Sequence, residues 1–462
     1  MPDTTRPLSR ELAAWVVRAR SEPLPPEVEH QARRVLLDYL AAALSGSRTA
    51  TACLVRDYLA ASEAPGRVQV LGTPLRLSGA QAALATGTAA HGLEVDDGYT
   101  PGAYHPGAPV ISAALAAAED HGASFDRLLV AIALGFEVSC RLAGAGHPTT
   151  WRRGLHNTPL AGVFGAAVAV TTMLEADERR TLDALGLAGS HAGGLFEFLG
   201  SGAEVKRLHA GKAARDGLVC AELAVRGLTG PATVLEGRNG YAAVFVDGRL
   251  DEAHLMDGLG VTWRMLRTYV KPYPCCRHLH GPIDAVLELA DTHAFDPDAV
   301  RAIEVGTYPV AVGHGFHEVD DFLDAQMSIP YAVAVTVLHG PPALEHFDEA
   351  SRSDPRVRAL ADKVVVTEAA DCMRDYPAMR PARVRVVTDA GTFGTRVDQP
   401  WGEPDRPVDD AALVEKLHRL VDPVCGPATV DALAAIVWTG SGDATALLDM
   451  LAEAGAGEPV PA

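Results

Sequence analysis

Residues 79–95, GAQAALATGTAAHGLEV, constrain the fold more than any other stretch of the chain. Ser78 stands where a helix N-cap belongs, and the run after it is mostly Ala, Gly and Thr. Side chains this small let another helix backbone come very close, as the central helix of a bundle requires. The rest of the chain agrees. Apolar residues make up 48% but aromatics only 6%, so the core must be built from Ala, Leu and Val, which favours tightly packed helices.

Helical periodicity recurs on both sides. Val28, Ala32, Val35, Leu36, Tyr39, Leu40, Ala43 and Leu44 share one face of a helix over 27–45 that Gly46 can end. A turn-rich loop, DDGYTPGAYHPGAP, leads to a helix over about 109–120. Ser124 caps the next helix, and HPTTWRRGLH (147–156) reads as a polar loop. NTPLAGVFGAAVAVTTML reads as a buried helix, Asp177 opens another, and a further helix starts near His209 and ends at Gly227. No convincing strand appears before about residue 265.

The pattern changes after Lys271. VRAIEVGTYPV, DKVVVTEA and ARVRVVTDAGTFGTRVD show β-branched alternation, with a turn signal, DAG, in the last. Helical segments PIDAVLELADTHA and MSIPYAVAVTVLHG lie between them, and the helical pattern returns from about Asp409. The expected architecture is mainly α. A large all-α helical domain is built from both chain ends (1–270 and 405–462), with an inserted α+β domain at 271–404. The tail AGAGEPVPA is expected to fray.

Forty Lys and Arg stand against 59 Asp and Glu, a net charge of −19, which argues against a nucleic-acid partner. No run is uniformly apolar and uncharged for about 18 residues or more, and the N-terminus does not read as a signal peptide, so no membrane span is expected. Seven dispersed cysteines suit reduced thiols in a cytoplasm.

Against this acidic background two basic segments stand out. KRLHAGKAAR (206–215) holds two of the five lysines, and KPYPCCRHLHGP opens on a third, Lys271. Lys is a compact charge whose pKa responds to burial, so lysines in a chain that prefers Arg point to a wanted ammonium. A cationic pocket for a small polycarboxylate is one reading; an ordinary helix with a solvated face is the other. Adjacent Cys275 and Cys276 lack the spacing of a zinc or iron–sulfur site.

VLLDYLAAALSG, ATGTAAHGLEVDD, HPGAPVISAALAAAE, GLHNTPLAGVFGAA, KRLHAGKAARDGLVCAELAVRG, GPATVLEG, KPYPCCRHLHGPIDA and MSIPYAVA occur in this order over nearly the whole chain. Together they resemble the MmgE/PrpD family, which includes 2-methylcitrate dehydratase, cis-aconitate decarboxylase and iminodisuccinate epimerase. The resemblance implies a helical domain plus a lid domain, a homodimer, a site in the cleft between the two domains, and no metal or organic cofactor. Carried onto this sequence, it implies His105, His156, Lys206 and Tyr331 as catalytic residues. It places Glu94, Asp97, Lys271, Cys276 and Arg277 around the substrate.

Each position also has a plainer reading. Glu94, Asp96 and Asp97 can serve as structural caps, or with His105 can hold a divalent metal. His156 can cap a helix, and Tyr331 can be a core aromatic. Lys206, just before a helix start, can hold a carboxylate together with helix N–H groups. Three positions depart from the decarboxylase pattern: Glu94 where it has Asp, Gly98 where it has Thr, and Cys276 where it has His. The expected activity is therefore a hydro-lyase on a di- or tricarboxylate. Epimerisation of an imino- or amino-dicarboxylate and cis-aconitate-type decarboxylation are the alternatives.

Overall fold

The computed structural model describes residues 6–62, 64–200 and 203–455. Of the tail expected to fray, residues 454–462, Ala454 and Gly455 end the helix Thr445–Gly455, and 456–462 lie outside this set. The chain forms two compact units. The first comprises Met1–Tyr269 and Asp409–Ala462, and the second Val270–Val408. Helix dominates among the described residues, with small sheets.

In the first unit the small-residue segment forms the helix Gly79–Ala90, with Ser78 at its N-cap position but without a side-chain capping bond. It crosses the helix Val205–Arg226 where two glycines meet. A Cβ on Gly87 would lie 2.8 Å from the Gly211 Cα, and one on Gly211 would lie 2.2 Å from the Leu84 carbonyl oxygen. Neither position tolerates a side chain. A second crossing, of Phe125–Gly146 with Asn157–Met173, sets Gly135 against Gly165 in the same manner.

Phe125–Gly146 is long and apolar enough to cross a membrane, yet 94% of its apolar window is buried inside the fold. It also carries a fully buried ion pair, Glu137 with Arg141 at 2.5 Å. Arg141 donates further to the carbonyls of Leu255, Asp257 and Thr262, which pins the 255–262 loop onto the helix.

The chain's C-terminal part completes this unit. The helix Asp410–Cys425, capped by Asp409, packs on Pro26–Gly46. Lys416 there is buried and donates to Asp38 and to the carbonyl of Val95, each at 2.6 Å.

Some local readings need correction. The helix Val205–Arg226 begins four residues before His209, so Lys206 lies in its first turn rather than ahead of it. Its N-cap is Glu204, whose side chain makes no capping bond, so no Ser, Thr or Asp signal marks the start. The polar loop 147–156 contains a short helix, Thr149–Arg152. Two-residue ladders, Val68–Gln69 with Arg76–Leu77 and Gly98–Tyr99 with Thr268–Tyr269, fall in the stretch expected to lack strands.

The second unit holds a four-stranded sheet. In spatial order its strands are Val364–Glu368, Val300–Thr307, Ala382–Thr388 and Gly391–Val397; the first pair is parallel and the others antiparallel. Val300, Ile303, Val305, Val384 and Val386 form one apolar face, against which the helices His280–His293 and Ile329–His339 help build a separate core.

Candidate functional site

The helix Gly79–Ala90 stops at His91, and the chain turns sharply. Glu94 adopts a left-handed backbone, φ 56°, which costs a non-glycine residue roughly 1–2 kcal/mol. That turn aims the Glu94 carboxylate at the first turn of Val205–Arg226, where the Lys206 ammonium donates to it. Both side chains are more than nine-tenths buried.

Histidines gather around the same helix ends. The ring nitrogen Nδ1 of His91 lies 2.7 Å from Asp96 Oδ2. His105 Nδ1 lies 2.7 Å from the Asp97 carbonyl oxygen and 3.5 Å from Asp96 Oδ2. A carbonyl can only accept, so His105 Nδ1 carries the hydrogen and the neutral ring keeps its lone pair on Nε2. His105 is partly exposed, which suits a base that must meet a substrate. Its ring centroid is 5.1 Å from that of His91, and His91 stacks on His156 at 6.0 Å.

His156 stands at the N-cap of Asn157–Met173, buried beneath Phe196 and Phe198. It does not cap that helix through its side chain; its Nδ1 lies 3.0 Å from Nδ1 of His209. Burial, together with neighbouring His91 and His209, holds its pKa well below the ordinary histidine value. Burial and neighbouring His91 and Lys212 bring His209 down to about 4. At neutral pH both rings are uncharged, so one Nδ1 must donate and the other accept. The two tautomers are thereby coupled: if His156 donates, its Nε2 is a base, and if His209 donates, His156 Nε2–H is an acid.

Asp97, expected near the substrate, serves the protein's own backbone. Its Oδ1 accepts from Gly107 N–H at 2.9 Å and its carbonyl accepts from His105, so it braces the loop that presents His105. Burial, with Asp38 and Asp96 close by, raises its pKa well above the usual carboxylate value. Gly98 has no room for a side chain, since a Cβ there would lie 2.2 Å from the ring of Tyr269.

The remaining predicted residues belong to the second unit. Lys271 is buried. Arg277 is buried and engaged by Glu403 at 3.0 Å and by the carbonyls of Trp401 and Pro400 at 2.8 and 3.2 Å. Cys276 is half-buried, with Sγ 3.9 Å from His314 Nε2. Tyr331 packs in the unit's core and its hydroxyl donates to the His346 carbonyl at 2.8 Å, a bond that must break before it can serve a substrate.

Thus Glu94, Asp97, His105, His156 and Lys206 come from neighbouring helix ends of the first unit, and Lys271, Cys276, Arg277 and Tyr331 all sit in the second. Sequence reasoning passed over His91, which follows the small-residue helix directly. It took His209 for a helix start, although the i, i+3 spacing from Lys206 puts both on one face once the helix begins at Val205. Among the described residues, three groups bring possible metal-donor atoms within 4.8 Å of one another: His91, Asp96 and His105; Asp120, His121 and Glu222; and Cys276, His278 and His314.

Comparison with known proteins covers both units. The MmgE/PrpD N-terminal domain model matches residues 10–253 and the MmgE/PrpD C-terminal domain model matches 273–439. The chain is 28% identical to the cis-aconitate decarboxylase-like protein oryM of Aspergillus oryzae, over 90% of this chain and 91% of that protein. It is 26% identical to the cis-aconitate decarboxylase of Aspergillus terreus, over 90% of each chain. Identity to the human cis-aconitate decarboxylase is also 26%, over 90% of this chain and 88% of the human one. With both domain models matched in order over most of its length, this chain belongs to the MmgE/PrpD family.

Proposed function

We propose that the protein is a cofactor-free lyase acting on a small di- or tricarboxylate, and that its central step is proton transfer at a carbon next to a carboxylate. The observation that carries this reading is the buried Lys206 ammonium on the same helix as His209, which is hydrogen-bonded to a second neutral histidine, His156, from the neighbouring helix end. A positive charge held out of water stabilises negative charge building on a carboxylate far better than a solvated one does. Neutral imidazoles are the forms that can take or give a proton near pH 7.

In the dehydration reading, His105 Nε2 removes the proton and its electron pair forms the new C=C bond. The β-hydroxyl departs as water, with a proton from His156 Nε2–H. The proton that His105 has gained then passes through solvent to His156 Nε2, which restores the starting form of all three rings. Lys206 exchanges part of its pairing with Glu94 for the substrate carboxylate. The assembly proposed is a cytoplasmic homodimer.

A second reading, decarboxylation, is favoured by the names of the relatives. There the C–C bond to a carboxylate breaks, CO₂ leaves, and the electron pair left on carbon is protonated by His156. Against cis-aconitate itself stand the departures at Glu94, Gly98 and Cys276. The Tyr269 ring fills the space that a side chain at position 98 would need.

The test is incubation of the purified protein in D₂O with citrate, methylcitrate, cis-aconitate and iminodisuccinate. New alkene absorbance marks dehydration, and released CO₂ marks decarboxylation. Deuterium uptake with neither product means epimerisation and overturns the lyase reading, as does the absence of any turnover or exchange across such a panel.

A further inference from the structure

The segment after Pro274 brings Cys276 and His278 to one place, and His314, just past the short helix Pro309–Val312, joins them. One donor atom from each lies within 4.8 Å of the others. Cys276 Sγ and His314 Nε2 are 3.9 Å apart. A zinc ion with bonds of about 2.3 Å to sulfur and about 2.0 Å to nitrogen, in tetrahedral geometry, sets those atoms roughly 3.6 Å apart. A movement of a few tenths of an ångström closes the difference.

Each ring holds one nitrogen on an outer partner, as metal-bound imidazoles do. His314 Nδ1 must donate to the carbonyl of Met327, at 2.9 Å, which leaves the lone pair on the Nε2 that faces the thiol. His278 Nδ1 is hydrogen-bonded to the Tyr308 hydroxyl at 2.7 Å; with Nδ1 donating to that hydroxyl oxygen, Nε2 is the coordinating atom. Outer partners of this kind hold the tautomer and aim of histidine ligands. The two rings stack with centroids 5.4 Å apart. Arg380, Arg277 and Lys271 place positive charge near His278. All three side chains are half-buried, so an ion can enter.

We propose that Cys276, His278 and His314 form a binding site for a thiophilic divalent cation of the zinc class. The ion displaces the thiol proton to solvent and bonds to the thiolate and two imidazoles, with the fourth position left to water. The surrounding cations, although Arg277 is balanced by Glu403, oppose any dication that gains little from sulfur. The site therefore selects zinc or cadmium over magnesium or calcium. This inference does not depend on the lyase reading.

The test uses the full-length protein stripped of metal by a chelator. Titration with zinc chloride in a weakly coordinating buffer is expected to show a single ion bound per chain, with proton release. Cobalt(II) is expected to give the visible bands of a tetrahedral site and a thiolate charge-transfer band. Cys276→Ser should abolish that band, and His278→Ala, His314→Ala and Cys276→Ser should each weaken zinc at least about tenfold. Tyr308→Phe, which removes an outer partner, should weaken it about 10–100-fold. Thermal melts of the metal-free variants check that they fold. The wild-type cobalt spectrum needs no variant, and an octahedral spectrum without charge transfer ends the proposal. So does the absence of zinc binding, binding that survives both Cys276→Ser and His314→Ala, or loss confined to Cys276→Ser, which would mean simple capture by a thiol.

Discussion

Lys206→Ala removes one member of a buried ion pair and takes from the buried Glu94 carboxylate the ammonium that faces it. A loss of about 3–5 kcal/mol of stability is expected along with the loss of turnover. Lys206→Met combined with Glu94→Gln removes both charges of this pair and should recover most of the stability but none of the activity; urea denaturation and a turnover assay check the two separately. The coupled histidines make a different prediction. His209 lowers the pKa of His156, so in His209→Asn the acid limb of the kcat/KM profile should move to higher pH. Stability gives the matching sign. The folded His209 stays neutral down to about 4, while the unfolded one protonates near the ordinary value. Protons therefore favour the unfolded chain between those limits, and stability is lost as pH falls through them. His209→Asn lacks this penalty, so its stability relative to wild type should improve steadily as pH drops from about 6.5 to about 4. At this scale the sequence was partly legible. Lys206, Glu94, His105 and His156 stand in segments whose composition marks them. The His156–His209 bond was hidden, because it joins two helices whose packing depends on where the second one starts, and Glu204 gives no cap signal for that start.

Helix crossings supply the frame. Gly87 and Gly211 touch backbone to backbone, so Gly211→Val forces apart the two helices that bear Glu94's turn and Lys206. A cost of about 1–3 kcal/mol or more is expected from overpacking, together with lost turnover in the protein that remains folded. Thermal melts and activity assays check both. Gly98→Thr collides with the Tyr269 ring, and Gly98→Thr with Tyr269→Ala should restore the melting temperature that the single change lowers. These contacts explain what the sequence revealed. An Ala- and Gly-rich helix can be read as close-packed from composition alone, and the strands Val300–Thr307 and Ala382–Thr388 follow from β-branched alternation. Two-residue ladders such as Gly98–Tyr99 with Thr268–Tyr269 are too short to leave any periodicity, and their partners are far apart in the chain.

The whole molecule divides into one unit from a continuous segment and one from two separated segments. Among the described residues, the apolar core of the second unit draws on residues from Tyr273 to Trp401. Residues 270–408 expressed alone should therefore unfold cooperatively in urea. Residues 1–269 alone should not, because Asp38, whose pKa burial already raises, is then left without Lys416. Linking 409–462 to them should restore the transition. The same lysine also donates to the carbonyl of Val95, in the turn between Glu94 and Asp96. As the ribosome makes this protein, that turn stays without its buttress until the helix Asp410–Cys425 has emerged. A message cut short before codon 416 thus yields a chain holding every proposed reactive group and no means of setting them in place.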